Sequence, residues 1–290
     1  MVEQSPYPAM FHAADVAAQS AQRWYLRLSA CRLWALVTVA ALAATVSLID
    51  RWSAYTALAP IGVALFAEII LMTRRLERRW YQARAVAESA KTLTWRYQVG
   101  GRPLGLRMTA GEADAELIAR LRALLTEFRD LSLPATNRDQ VTADMRRLRS
   151  LPLQERIAAY KKGRIEEQRA WYADRAEWNR KRADWYQVGL IVIELAAFGT
   201  ALVTALLGLS ISFYSLLAAL AVAGVGWLQI RQHRSTADSY ALASHELGAI
   251  NSTFDSVDGE DAWEDFVDQA EGAISREHTL WLASNRRITL

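Results

Sequence analysis

The stretch "VGLIVIELAAFGTALVTALLG", residues 188–208, decides the fold. Its 21 residues carry one ionisable side chain, Glu194. At ~1.5 Å of rise per residue, such a run crosses the ~30 Å hydrocarbon core of a bilayer as a single helix. Working outward, three further runs share its character: 33–49, 54–73 and 213–230, of 17, 20 and 18 residues. The alternative is a soluble bundle of buried core helices, but soluble helices of this length normally keep a polar face. The pattern therefore predicts an all-α membrane protein. Four spans form two transmembrane helical hairpins, joined to long cytoplasmic helices. No strand-like alternation of useful length occurs.

Orientation follows from the basic residues. Arg23, Arg27 and Arg32 precede the first span, and Arg74, Arg75, Arg78 and Arg79 follow the second. Arg180, Lys181 and Arg182 precede the third, and Arg231 and Arg234 follow the fourth. The hairpin turns hold only Arg51, next to Asp50, so the count is twelve against one. Lys and Arg gather on the cytoplasmic side of short loops. This places both termini in the cytoplasm of a multi-pass protein of the bacterial inner membrane. The first 22 residues are mixed polar, and the apolar run after them reads as an anchor rather than a cleaved secretory signal. Cys31 has no second cysteine to pair with. The net charge of +3 is modest, and the basic clusters hug the spans. They are explained by topology and anionic headgroups, and nucleic acid is not expected as a partner.

The chain is built twice on one plan: an amphipathic helix bearing Trp-Tyr, a hairpin, a basic edge and another cytoplasmic helix. Trp24-Tyr25 opens the first half and Trp171-Tyr172 the second. Residues 1–100 form the first hairpin unit, with spans 33–49 and 54–73. Residues 101–150 form a cytoplasmic linker with a helix at about 111–131, where Leu117, Leu121, Leu124, Leu125 and Phe128 recur at helical spacing. Residues 151–290 form the second hairpin unit, with spans 188–208 and 213–230 and C-terminal cytoplasmic helices. "VGGRPLG" (99–105) is a turn. In the last helix Trp263, Phe266, Val267, Ala270 and Ile274 share one face. Trp171, Trp178 and Trp185, seven residues apart, share a face of the helix that runs into the third span. Arg164, Glu167, Arg175, Lys181 and Arg182 mostly occupy its other faces. The tryptophan seam is covered either by neighbouring helices or by a partner or second subunit, and Trp185 can also anchor among headgroups.

A reactive constellation is absent. His12, His233, His245 and His278 are scattered, no pair has metal-ligand spacing, and no phosphate-loop, dinucleotide, nucleophile-elbow or zinc-protease motif occurs. The expectation is no enzyme, no catalytic residue, no metal and no cofactor. What remains is charge at membrane depth. Glu194 lies about 9 Å inside the third span at ~1.5 Å per residue, and Glu68 sits at comparable depth in the second. A carboxylate at a span centre costs ~2.5–3.5 kcal/mol on insertion scales. The two acids are the pore-lining candidates; the alternative is pairing with an arginine or lysine such as Arg74 or Lys181.

Three segments carry a resemblance: "AESAKTLTWRYQVGGRP" (87–103), "GRIEEQRAWYADRAEWNRKRADWY" (163–186) and "ISREHTLWLA" (274–283). They resemble bacterial SLATT proteins, the SMODS- and SLOG-associating two-transmembrane effector domains, present as two units in tandem. The matching positions are Glu88, Lys91, Trp95 and Tyr97, then Arg164, Gln168, Trp171, Tyr172, Glu277, His278, Thr279 and Trp281. The resemblance implies a pore-forming effector of a nucleotide-signal-linked anti-phage defence system. It would be triggered by a cytoplasmic signalling partner or a nucleotide second messenger. Four spans barely enclose a lumen, so a conducting form calls for a homo-oligomer in the lipid bilayer, gated through its cytoplasmic helices. The alternative function is a non-conducting, membrane-anchored interaction or scaffold module.

Overall fold

A computed structural model describes residues 6–45, 53–208, 213–254 and 257–286. The first hairpin turn, with Asp50 and Arg51, and the side chains of Glu277, His278, Thr279 and Trp281 lie outside what is described. The helices are α1 (Ala9–Thr45), α2 (Ser53–Arg74), α3 (Leu76–Val99), α4 (Ala110–Glu127), α5 (Ala143–Arg149) and α6 (Leu153–Tyr160). A π-helical segment, Lys161–Glu166, links α6 to α7 (Glu167–Leu207), and α8 (Phe213–Arg231), α9 (His233–Asn251) and α10 (Gly259–Arg286) follow. Among the described residues there is no strand. Four helical stretches are long and apolar enough to cross a membrane, and none of the most apolar window of the third and fourth is buried. That exposure excludes the soluble-bundle alternative, because core helices would hide those residues.

The chain forms two compact units that cut across its two sequence halves. A membrane unit takes Ala21–Glu77 and Glu177–Ala237; a polar unit takes the described parts of Met1–Ser20, Arg78–Ala176 and Asp238–Leu290. In the polar unit, small residues let helices approach. Ala14, Ala17 and Ala18 of α1 pack with Ala83, Val86, Ala87 and Ala90 of α3, and Leu117 and Leu121 of α4 close the cluster. A capping box starts α4: Thr109 Oγ1 accepts from Glu112 N at 3.3 Å, and Glu112 Oε2 accepts from Thr109 N at 2.8 Å. The seven residues of α5, capped by Thr142, are too few for periodicity to reveal in sequence.

A second cluster joins Trp95, Tyr160, Leu247, Phe254, Trp263 and Val267. It braces the turn after α3, whose terminal carbonyls need donors from outside the helix. Trp263 Nε1 donates to Val99 O at 2.8 Å, and Arg156 Nη1 donates to the same oxygen at 2.5 Å. Arg149 Nη1 donates to Leu104 O at 2.6 Å and to Tyr97 O at 2.9 Å. Gly100 takes φ +74°, and a Cβ on Gly101 would lie 2.2 Å from Val267 Cγ1, so both glycines of the turn are required.

The membrane unit is inverted relative to a soluble core: Phe66, Phe198, Leu206 and Val222 are each at least 65% exposed. On α8 a Cβ at Gly224 or Gly226 would come into ordinary contact with Leu190 at 3.4 Å or Leu33 at 3.5 Å, so α8 packs beside both α7 and α1 there. Each outgoing span ends alike. After α2, Arg75 has φ 42°; after α8, Gln232 has φ 45°. A non-glycine residue is uncommon in this left-handed region, so the same one-residue break at equivalent places is physical support for the tandem plan.

Candidate functional site

The two membrane acids have different surroundings. Glu68 accepts an ion-paired hydrogen bond from Arg32 Nη1, with the side chains 41% and 31% exposed. The partner is thus the arginine at the foot of the first span, rather than Arg74 or Lys181. Glu194 is exposed on α7 and has no hydrogen-bond or ion-pair partner among the described residues. Ile191 and Phe198, about one turn away on either side, are also exposed. Glu194 therefore sits unpaired on the outer surface of a single copy.

The tryptophan seam is covered unevenly. In the polar unit Trp171 meets Tyr172 at 5.2 Å and Tyr240 at 5.4 Å, with Arg175 5.6 Å from its ring centre. In the membrane unit Trp178 has Arg182 4.5 Å above its ring and His233 at its edge, 5.7 Å away. Trp185 stays 77% exposed. Two of the three are thus partly covered by their own chain, through α9 residues.

His233 is buried and neutral by construction. Its Nδ1 pairs with Asn179 Oδ1 at 2.7 Å, and its Nε2 receives Arg231 Nε at 3.3 Å. The second bond leaves Nε2 as acceptor, so Nδ1 carries the proton and donates. Burial, then the Arg231 and Arg182 charges, pushes the imidazole down to about 4.

Sequence reasoning missed a fully enclosed charge. It grouped Arg164 with the charges on the faces away from the tryptophan seam; the structure buries it completely, with Glu271 equally buried. The guanidinium binds the carboxylate through two bonds, Nε to Oε1 at 2.8 Å and Nη2 to Oε2 at 2.6 Å. Nη1 donates to Gln168 Oε1 at 3.0 Å and Nη2 to Thr92 Oγ1 at 3.2 Å, while Tyr160 Oη donates to Glu271 Oε1 at 3.0 Å. Burial opposes charge on Arg164, but the Glu271 carboxylate more than offsets it and holds the guanidinium above its ordinary range. Burial and the same carboxylate raise Tyr160. Lys91 stands beside this network. Burial above all pushes it down to about 8; Glu88 opposes the shift, and the Arg164 and Arg84 charges add to it. Arg164 lies seven residues before Trp171, the interval that also separates Trp171, Trp178 and Trp185, so the spacing itself sets it on the seam side of the helix rather than on the other faces. A glutamate on the apolar face of α10, between Val267 and Ile274, was the available sequence signal.

The segments that carry the family resemblance in the two halves meet at this network. Glu88, Lys91 and Trp95 come from α3, and Arg164 and Gln168 from the start of the long helix. A Cβ on Gly163 would lie 3.1 Å from Trp95 Cη2, so that glycine is what lets the two segments close. Family models match both halves: SMODS and SLOG-associating 2TM effector domain 3 over residues 8–157, and effector domain 1 over residues 160–281. The chain is a tandem SLATT protein. Neither a curated protein nor a solved structure matches it. SLATT domains are two-transmembrane effector domains, in agreement with one hairpin in each matched half. Among the described residues, no three His, Cys, Asp or Glu side chains are grouped to hold a metal ion. The arrangement provides one unpaired carboxylate among the spans and one buried ion-pair network at the root of α7.

Proposed function

We propose that this SLATT protein is an oligomeric, ion-conducting membrane effector of an anti-phage defence system, gated through the helices of its polar unit. The observation that carries the reading is Glu194: a carboxylate exposed on a membrane-spanning helix, with no partner among the described residues of its own chain. In lipid that placement is costly, and such residues face a water-filled cavity or another polar group. A ring of copies relieves the cost by turning Glu194 towards a shared lumen, where carboxylates favour cations. Both termini lie in the bacterial cytoplasm in this reading, supported by the twelve-to-one distribution of basic residues.

Gating draws on the Arg164–Glu271 network. Arg164 lies on the π-helical segment that leads into α7, and Glu271 lies on α10. A signalling partner or nucleotide that favours another packing of α10 would act on the helix that carries Glu194. The alternative, a non-conducting scaffold, is favoured by one observation: Glu68 is paired within the chain. Membrane potential under tight induction separates the two readings. Depolarisation by the native chain and its loss in Glu194→Leu are expected of the pore; an anchor tolerates leucine. Glu194→Gln channels with an unchanged cation-to-anion permeability ratio would remove the selectivity claim.

A further inference from the structure

Within the membrane unit, α1, α7 and α8 leave an open-sided cavity of about 370 Å³. Trp34, Trp185, Tyr186, Gly189, Gly224 and Trp227 stand on its wall. The glycines make the room: a Cβ on Gly189 would meet nothing within 4 Å, and one on Gly224 would meet only Leu190 Cδ1 at 3.4 Å. At ~30 Å³ each the cavity has space for about twelve waters, but its apolar wall gives them few partners, so it suits an apolar guest.

Two arginines stand just beyond the Tyr186 and Trp227 end of the cavity, outside its wall. Tyr186 stacks on His233 with ring centres 5.7 Å apart, Arg231 donates to His233 at 3.3 Å, and Arg231 Cζ lies 5.7 Å from the Trp227 ring centre. Arg182, one turn before Tyr186, lies over Trp178. Among the described residues neither guanidinium has a carboxylate within ion-pair distance, and Asp184 is 3.8 Å from Arg234 instead.

We propose that this cavity is a binding site for an anionic phospholipid, with an acyl chain against Trp34, Trp185 and Trp227 and the phosphate on Arg231 and Arg182. One molecule then supplies both what the apolar wall and what the unpaired cations require. Guanidinium forks match phosphate oxygens, and tryptophans favour the headgroup level. A second copy of the chain would bring basic residues to the same level, which is the wrong charge. The site does not depend on conduction.

The test places the full-length protein in dioleoylphosphatidylcholine vesicles with a minor fraction of brominated phosphatidylglycerol or, separately, brominated phosphatidylcholine. Tryptophan quenching is the readout. A preference for the anionic lipid of roughly fivefold or more is expected, since each guanidinium near the surface contributes about that factor. In Arg182→Gln/Arg231→Gln the preference falls to near one, and in Arg182→Lys/Arg231→Lys most of it stays. Gly189→Leu, which projects into open space, lowers quenching by both lipids. Helicity by circular dichroism identifies the folded variants. Equal quenching of the native chain by the two lipids, a preference that survives the glutamine pair, or a Gly189→Leu protein quenched like the native one overturns the proposal.

Discussion

Arg164–Glu271 in the polar unit and Arg32–Glu68 in the membrane unit have the same chemistry and opposite surroundings. The first is fully buried and completed by Tyr160, Gln168 and Thr92; the second is partly exposed. A buried pair must recover the desolvation of both ions, which needs good geometry and further hydrogen bonds. A partly exposed pair keeps some solvation of each ion and depends less on its partner. The polar unit is therefore where a single lost charge has large consequences. The membrane unit leaves charge unmet, at Glu194 and at the two arginines.

Breaking the buried pair is the most severe test of this contrast. Glu271→Leu leaves Arg164 charged and unpartnered, and a loss of about 3–5 kcal/mol is expected in denaturant unfolding of the full chain in mild detergent. Arg164→Met/Glu271→Leu should recover most of it, because both desolvated ions are gone. Packing differs in the same direction. Gly101→Ala puts a methyl group 2.2 Å from Val267 Cγ1 and should cost about 1–3 kcal/mol. Gly189→Ala meets nothing within 4 Å and, inside a helix, should hold or raise the unfolding midpoint, by up to about 1 kcal/mol of stability.

A smaller effect is expected from acid at His233, the membrane unit's own buried polar group. Folding pushes the imidazole below its ordinary value near 6.5, to about 4. The unfolded ring therefore takes up a proton first. The stability contributed is complete above about pH 6.5 and is lost as pH falls through about 4. Protonation also converts Nε2 from acceptor to donor, facing Arg231, with the Arg182 charge near and Asn179, Trp178 and Tyr186 in contact with the ring. Unfolding midpoints measured from pH 7.5 to 3.5 should decline more steeply for the native chain than for His233→Gln. At the small end, Glu68→Gln should cost less than Glu271→Leu in detergent, because the partly exposed Arg32 keeps access to headgroups or micelle water that the buried Arg164 lacks. A shift like that of Glu271→Leu would erase the distinction between the two pairs.

Much of the architecture was legible because lipid leaves few choices. Among the described residues, each apolar run of about twenty residues is helical, and the Trp263-to-Ile274 stripe faces a core as its spacing requires. Glu68 and Glu194 were legible as acids at depth, but their difference was not. Whether a carboxylate meets an arginine depends on a residue 36 positions away in α1 for Glu68, and on the absence of any such neighbour for Glu194. Arg164 was grouped with the charges on the other faces of the long helix, although its seven-residue offset from Trp171 sets it on the seam side; that Glu271 meets it there depends on a helix 107 positions away.

The sequence by itself determined the membrane character, the helical class, the two hairpins and the tandem family. Those follow from residue-by-residue cost in hydrocarbon and from local periodicity, which need no knowledge of neighbours. Tertiary structure decided which charges are paired. It brought Lys91 and Arg164 to one network from opposite halves, and left Arg182, Arg231 and Glu194 without carboxylate or cation partners among the described residues. Ion pairing falls off within a few ångströms, and distances of that order between residues far apart in the chain are set only when helices pack.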